Sequence, residues 1–296
     1  MDRRDAATRL GELQRALAVR IVPLAWANLV ANVGIVVTGG AVRLTGSGLG
    51  CPTWPKCTET SYTTHGALGV HGVIEFGNRL LTYVLLAIAL AFVVAAWRRG
   101  GRVRALGLVV LAGIPAQAVV GGITVLTDLN PWVVAGHLLV SMAMVGVCVW
   151  ILDDLSGPAR PASSVPSRRL AWASFASGWL ALWLGTVVTG SGPHSGDLES
   201  RRTGLDPEIV SHVHGFSVWL LVLLTVALAV VARRRGDAWL ARFAIVLLVV
   251  ELVQGLLGYV QFFTDLPEIL VGLHMLGAAL VSAGLARVVV TTYRRG

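Results

Sequence analysis

Apolar residues in this chain come in long, nearly charge-free runs broken by short polar stretches. Runs of about 20 residues are what a helix needs to cross a bilayer. They recur near 21–42, 71–97, 105–127, 131–152, 170–191, 209–232, 240–263 and 268–290. The pattern predicts an all-α integral membrane protein of eight transmembrane helices with short connections. One stretch, DDLSGPARPASSVPSRR at 153–169, is rich in Pro, Ser and charge and reads as a linker. It separates an N-terminal unit, 1–152, from a C-terminal unit, 170–296, with four spans in each.

The two units echo one another. QAVVGGITVLTDLNPWVVAGH begins at Gln117 and QGLLGYVQFFTDLPEILVGLH at Gln254; Gln, the TDL tripeptide and His recur at an offset of 137 residues. Earlier, TGG at 38–40 matches TGS at 189–191, and IEFGNRLLTY at 74–83 matches VSHVHGFSVW at 210–219, with Asn78 opposite His214. Matches in one order at nearly constant spacing predict two tandem, pseudo-symmetric four-helix bundles. An even number of spans per unit gives both the same orientation in the membrane.

Composition agrees with a membrane protein: 55% of the 296 residues are hydrophobic and 14% charged. The net charge of +8 is a topology signal and excludes no more than it explains; a nucleic-acid partner is the poorer reading. Arg3, Arg4, Arg9, Arg15 and Arg20 precede the first span, and WRRGGRVR, SRR, ARRR and YRRG fall on the same side. The positive-inside rule places that side, with both termini, in the cytoplasm of a bacterial cell. Trp97, Trp132, Trp150, Trp172 and Trp239 stand at span ends, as interfacial anchors do. The first apolar run is too long for a cleaved signal and lacks a small-residue cleavage site.

Chemistry-bearing residues gather at the outer ends of the spans. In HGVIEFGNRLLTY, the residues His71, Glu75, Asn78 and Thr82 recur at spacings of three and four, hence on one helix face. His137, His214 and His274 occupy repeat-related positions a turn or two inside even-numbered spans. A lone intramembrane His is as readily an interhelical hydrogen bond as a functional group. Two at one depth on neighbouring helices point to a ligand site. Zinc would want further ligands, whereas two facing imidazoles in an apolar bundle suit a haem iron. Cys51 and Cys57 bracket CPTWPKC in the first outer loop, where a disulfide, two free thiols or a metal site with His65 compete. Cys148 reads as a small buried hydrophobe. Glu251, deep in the seventh span opposite Ile114 of the other unit, is a hydrogen-bonded carboxyl or a proton relay.

Taken together, the loop TGGAVRLTGSGLGCPTWPKC, Glu75 three residues before a ligand position, the HLL and HML helices and the duplicated eight-span plan resemble the haem A synthase family. That resemblance covers nearly the whole chain, and the first loop is its most specific part. It implies oxidation of the ring-8 methyl of haem O to the formyl group of haem A, for cytochrome oxidase. It also implies that His214 and His274 hold haem b in the C-terminal bundle and that His137 faces the substrate haem in the N-terminal one. Glu75 would be the carboxylate essential to the oxidation, and Cys51 and Cys57 match loop cysteines that many members pair.

One position departs from the family. Asn78 stands where many members have His, and a neutral amide is a poor iron ligand, so that iron would be five-coordinate through His137 unless His71 replaces it. Arg79 and Arg43 are candidates for the haem propionates, with interfacial snorkelling as the plainer reading. Expected partners are haem O, haem A and membrane lipid, together with haem O synthase and cytochrome oxidase assembly factors. Two rival functions remain: a quinol-linked dihaem electron carrier, which would not need Glu75, and a transporter of parallel repeats.

Overall fold

The computed structural model describes residues 11–12, 14–197 and 200–295, so Arg3, Arg4 and Arg9, used above for topology, lie outside it. Eight long helices follow in chain order: α1 Ile21–Leu44, α2 Gly69–Ala96, α3 Gly101–Leu126, α4 Pro131–Ser156, α5 Val165–Ser191, α6 Pro207–Arg234, α7 Ala238–Phe263 and α8 Glu268–Thr291. All eight are long and apolar enough to cross a membrane. Helix is the form a spanning segment takes, because it satisfies its own backbone polar groups where no water can. Leu80, Tyr83, Val84, Phe216, Leu223 and Leu256 stay exposed on the outer surface, which in a lipid environment carries no hydrophobic penalty.

Helix ends follow local chemistry. Asn130 accepts a hydrogen bond from the Trp132 N–H at 3.0 Å, and Asp206 accepts from Glu208 and Ile209 at 2.8 and 3.1 Å. In both cases the cap precedes a proline at the first helical position. Several helices extend past the expected spans into charged flanks, since backbone bonding continues after hydropathy fades. The loop between α4 and α5 therefore shrinks to 157–164, well inside the polar tract of 153–169.

In the first half α1 to α4 pack in sequence and α1 closes on α4; in the second, α5 to α8 do the same and α5 closes on α8. The halves meet along α4 and α8, flanked by α1 against α8 and α4 against α5. This set of contacts is unchanged when the halves are exchanged, which is consistent with tandem duplication. The turns agree: after α3, Asp128 and Leu129 take φ of 52° and 54°, and after α7, Asp265 and Leu266 take 57° and 56°. Consecutive left-handed residues other than glycine are uncommon, so their recurrence at TDL in both halves is informative.

Each half is packed solid toward the linker end. Ala25, Phe92, Val110, Cys148 and Ile151 form one core, and Ala171, Leu228, Leu240, Leu247 and Leu285 the other. Val36, Met142 and Ala279 seal the seam between them. At that same end Asp153, 2% exposed, pairs with both Arg160 and Arg287 at 2.7 Å. Removing one partner from a buried cluster of this kind costs about 3–5 kcal/mol. Arg160 also exchanges backbone hydrogen bonds with Arg295, at 2.9 Å each way, which ties the linker to the end of the chain. The opposite ends of the bundles, where the histidines lie, are left to polar groups.

Candidate functional site

In the second half, His214 on α6 and His274 on α8 face each other with ring centroids 6.5 Å apart, edge to face. An imidazole nitrogen binds a transition metal at about 2 Å, so two rings on opposite sides of one ion have centroids about 6 Å apart. The observed spacing fits an iron between them. Glycines make the room: a Cβ at Gly185 on α5 would come within 3.3 Å of the His214 ring, and one at Gly258 on α7 within 3.3 Å of His274. The Nδ1 atoms of both are buried without a hydrogen-bond partner of good geometry, although the Ala181 carbonyl lies beside His214. Buried polar atoms are ordinarily satisfied. The donor set and its spacing fit a haem iron held between the two imidazoles.

The first half repeats part of this. His137 on α4 has an orphaned Nδ1 and lies over Gly121 of α3, where a Cβ would come within 3.3 Å of its ring. Gln117 Nε2 donates to the His137 carbonyl at 2.7 Å, just as Gln254 Nε2 donates to the His274 carbonyl at 2.5 Å. Each glutamine braces the helical turn that aims its histidine. Neither this brace nor the glycine one turn beyond it was anticipated as part of the site, though the shared spacing QxxxG in the two halves carries the signal.

At the repeat position that matches His214 the halves diverge. Asn78 on α2 accepts a hydrogen bond from the Thr38 hydroxyl of α1 at 2.8 Å, shorter than the 3.3 Å contact of that hydroxyl with the Ile35 carbonyl. Its amide nitrogen makes no hydrogen bond among the described residues. Gly34, one turn before Thr38, corresponds to Gly185 one turn before Thr189. A Cβ at Gly34 would meet no atom within 4 Å, where one at Gly185 would meet His214.

The remaining groups on the α2 face each have their own partner. Glu75, 6% exposed, accepts from the Cys51 N–H at 2.6 Å through Oε2, and from Arg79 Nε at 3.1 Å and Nη2 at 2.5 Å through Oε1. Arg79 also donates to the carbonyls of Cys51 and Thr53 at 3.0 Å and Lys56 at 3.1 Å. Its guanidinium is thus committed to the loop in this structure, and the carboxylate that sequence leaves bare is ion-paired. The loop is closed by a Cys51–Cys57 disulfide. Trp54 within it fills the space over Gly122 of α3, where a Cβ would overlap the indole. His71 is exposed, and its Nδ1 lies 2.9 Å from Ser47 Oγ.

Arg43, at the end of α1, reaches across the seam and donates to the His194 carbonyl at 3.2 Å; its Nε is buried and unpaired. Glu251 is 2% exposed, accepts from Thr225 at 2.9 Å through one oxygen, and leaves the other without a partner. Cys148 is buried, with Asn32 Nδ2 at 3.8 Å from its sulfur. No cluster of three or more metal-ligating side chains of the His, Cys, Asp and Glu type occurs among the described residues.

Fold and site define a multi-pass helical membrane protein with two facing imidazoles in one half and a single repeat-related imidazole in the other. Comparison with known proteins places it more narrowly. The family described as Cytochrome oxidase assembly protein matches residues 23–67 and 68–193, more than half of the chain, and the protein belongs to that family. Heme A synthase of Rhizorhabdus wittichii is 26% identical over 318 aligned positions, covering 88% of this chain and 91% of the relative. Heme A synthases of Lysinibacillus sphaericus and Staphylococcus haemolyticus are 30% and 28% identical, each across 56% of this chain and 57% or 58% of their own length.

Proposed function

We propose that the two pockets divide the labour of a haem A synthase, with a retained haem in the second half and the substrate haem in the first. The protein is a membrane oxidoreductase that converts the methyl group of haem O to the formyl group of haem A. What carries the reading of the second half is the His214–His274 pair at 6.5 Å in its glycine-lined space. Those two would hold haem b, which when bound would supply a one-electron centre. His137 would hold the substrate haem, and the units 1–152 and 170–296 would act as the substrate and cofactor halves.

The oxidation needs an oxygen atom, an electron sink and a base. Glu75 lies in the first half about one helical turn from Asn78, on the same face of α2. It would take the proton from an attacking water, or stabilise positive charge developing at the oxidised methyl. Arg79 and the Cys51 N–H hold that carboxylate in place, so the disulfide loop doubles as the wall that positions it. Arg43 is the better placed arginine for a propionate, since one of its donors is unsatisfied. The charge pattern favours the plasma membrane of a bacterium, with both termini on the cytoplasmic side.

Extracting the pigments of the purified protein and identifying the haems by mass tests the whole scheme. Haem b together with haem O or haem A is expected. Haem b alone, with no haem A produced on adding haem O and an electron acceptor, would instead support the electron carrier, and absence of any haem the transporter.

A further inference from the structure

The two halves treat one position differently. In the second, Gly185 leaves room that the His214 imidazole fills, with Thr189 one turn further along α5 turned back onto its own helix, its hydroxyl donating to the Gly185 carbonyl at 2.9 Å. In the first, the glycine is kept at Gly34 and the threonine at Thr38, but Asn78 replaces the imidazole. The glycine then faces nothing within 4 Å of where its Cβ would be. Thr38 donates to Asn78 Oδ1 at 2.8 Å, with the Ile35 carbonyl of its own helix further off at 3.3 Å.

That hydrogen bond has a chemical consequence. An asparagine side chain carries an acceptor oxygen and a donor NH2 in one plane. Fixing the oxygen on Thr38 fixes the direction of the two N–H groups, which have no partner among the described residues. The arrangement supplies a donor and no ligand at the place where the other half supplies a ligand.

We propose that Asn78, oriented by Thr38, is a hydrogen-bond donor to a small oxygen-bearing ligand, water in the resting state, that occupies the space left by the missing imidazole. This rests on the reading that His137 holds the substrate haem. Asn78 is then a positioning residue for the group on the open side of the substrate haem, and a side chain at Gly34 would take up that space.

Fluoride is the probe, because it binds ferric haem at an open position and accepts hydrogen bonds as water does. Full-length protein in detergent, loaded with ferric haem O, is titrated with fluoride and followed by its visible spectrum. The low-spin haem of the second half serves as an internal standard of folding. Asn78→Leu should weaken fluoride binding roughly tenfold, the loss of one hydrogen bond to a charged acceptor. Thr38→Val should weaken it roughly threefold with haem content unchanged, by freeing the amide to turn. Asn78→His should abolish fluoride binding and shift the first-half haem to low spin.

Fluoride affinity unaltered in both Asn78→Leu and Thr38→Val would overturn the inference and leave the assigned function standing. Absence of any His137-dependent haem binding would instead sink the functional reading, and this inference with it. A variant that loses the second-half spectrum is misfolded, and Thr38→Val, the milder change, then decides.

Discussion

The two halves of this protein share a frame and differ in what they present at one repeat-related position. In the second, α6 and α8 offer an imidazole each, from helices that glycine lets approach. In the first, α4 offers an imidazole and α2 an amide that is already hydrogen-bonded to Thr38. A coordinatively saturated haem is held firmly and suits electron transfer; one with a single strong ligand exchanges more readily. An enzyme whose substrate and product are both haems needs one half of each kind. The surrounding braces at Gln117 and Gln254 are the same in both halves, so the contrast rests on Asn78 against His214.

Removing either imidazole of the second half should have the largest effect. His214→Ala or His274→Ala should strip the low-spin haem signal from the purified protein and abolish haem A formation, as read by the visible spectrum and by pigment mass. His137→Ala should leave that signal in place and abolish only substrate-haem binding. If His137→Ala and His274→Ala gave the same spectrum, the division of labour would be wrong.

Replacing Glu75 comes next. Glu75→Ala should lower haem A formation by about 10²–10⁴-fold, the range of a lost general base, with the second-half haem spectrum intact. The carboxylate also anchors the loop through Cys51 and Arg79, so a second variant separates chemistry from support. Glu75→Gln keeps one acceptor for the Cys51 N–H and removes the charge. Haem A formation near the normal rate in Glu75→Gln would show that anchoring, and no proton transfer, is what Glu75 provides.

Much of the frame was legible in the sequence. Eight spans follow from apolar runs, and the repeat from TDL and the flanking Gln and His, because backbone satisfaction in lipid leaves helices little choice of form. That His214 and His274 meet was legible because each lies six or seven residues past the outer start of its helix. What escaped was lateral. Periodicity shows that His71, Glu75 and Asn78 share a face, but not that each finds a different neighbour: Ser47, the Cys51 loop with Arg79, and Thr38. Those partners come from segments distant in sequence. The pairing of Glu75 with Arg79 was open to inference from their i, i+4 spacing, yet reading Arg79 as an interfacial or propionate-binding cation hid it. The hydropathy reading also ended α4 too early, at 152, and began α5 too late, at 170, since Asp153 and Asp154 look like linker until their arginine partners are seen.

A more modest change would erase the difference between the halves. Asn78→His restores by mutation what the repeat predicts, an imidazole on α2 opposite His137. The first-half haem should become low-spin and be retained through dilution or detergent washing several-fold longer than in the unmodified protein, at the expense of turnover. Thr38 would lose its partner, a cost of about 1 kcal/mol that ligation easily offsets. Retention no better than in the unmodified protein would mean that α2 and α4 stand too far apart to share one iron.

The smallest effect is expected at the loop that only the first half staples covalently. Cys51 and Cys57 close a short ring between α1 and α2, and closing so few residues is worth roughly 2 kcal/mol. The second half holds its counterpart, the segment between α5 and α6, by weaker means: His194 Nε2 at 2.8 Å from the Leu266 carbonyl, and Arg202 donating to Ser200 at 2.7 Å. A Cys51→Ser and Cys57→Ser double variant should therefore fold and keep the second-half haem. Its loop would still be pinned by Arg79 to the carbonyls of Cys51, Thr53 and Lys56, and by Trp54 over Gly122. The expected outcome is a melting temperature lower by a few degrees and a several-fold weaker affinity for substrate haem, measured by titration with haem O. A loss confined to the first half would tie the disulfide to substrate handling. An equal loss of haem from both halves would show instead that the loop, through Gly48 and its hydrogen bond to the Gly196 carbonyl at 2.9 Å, clamps the two bundles to each other.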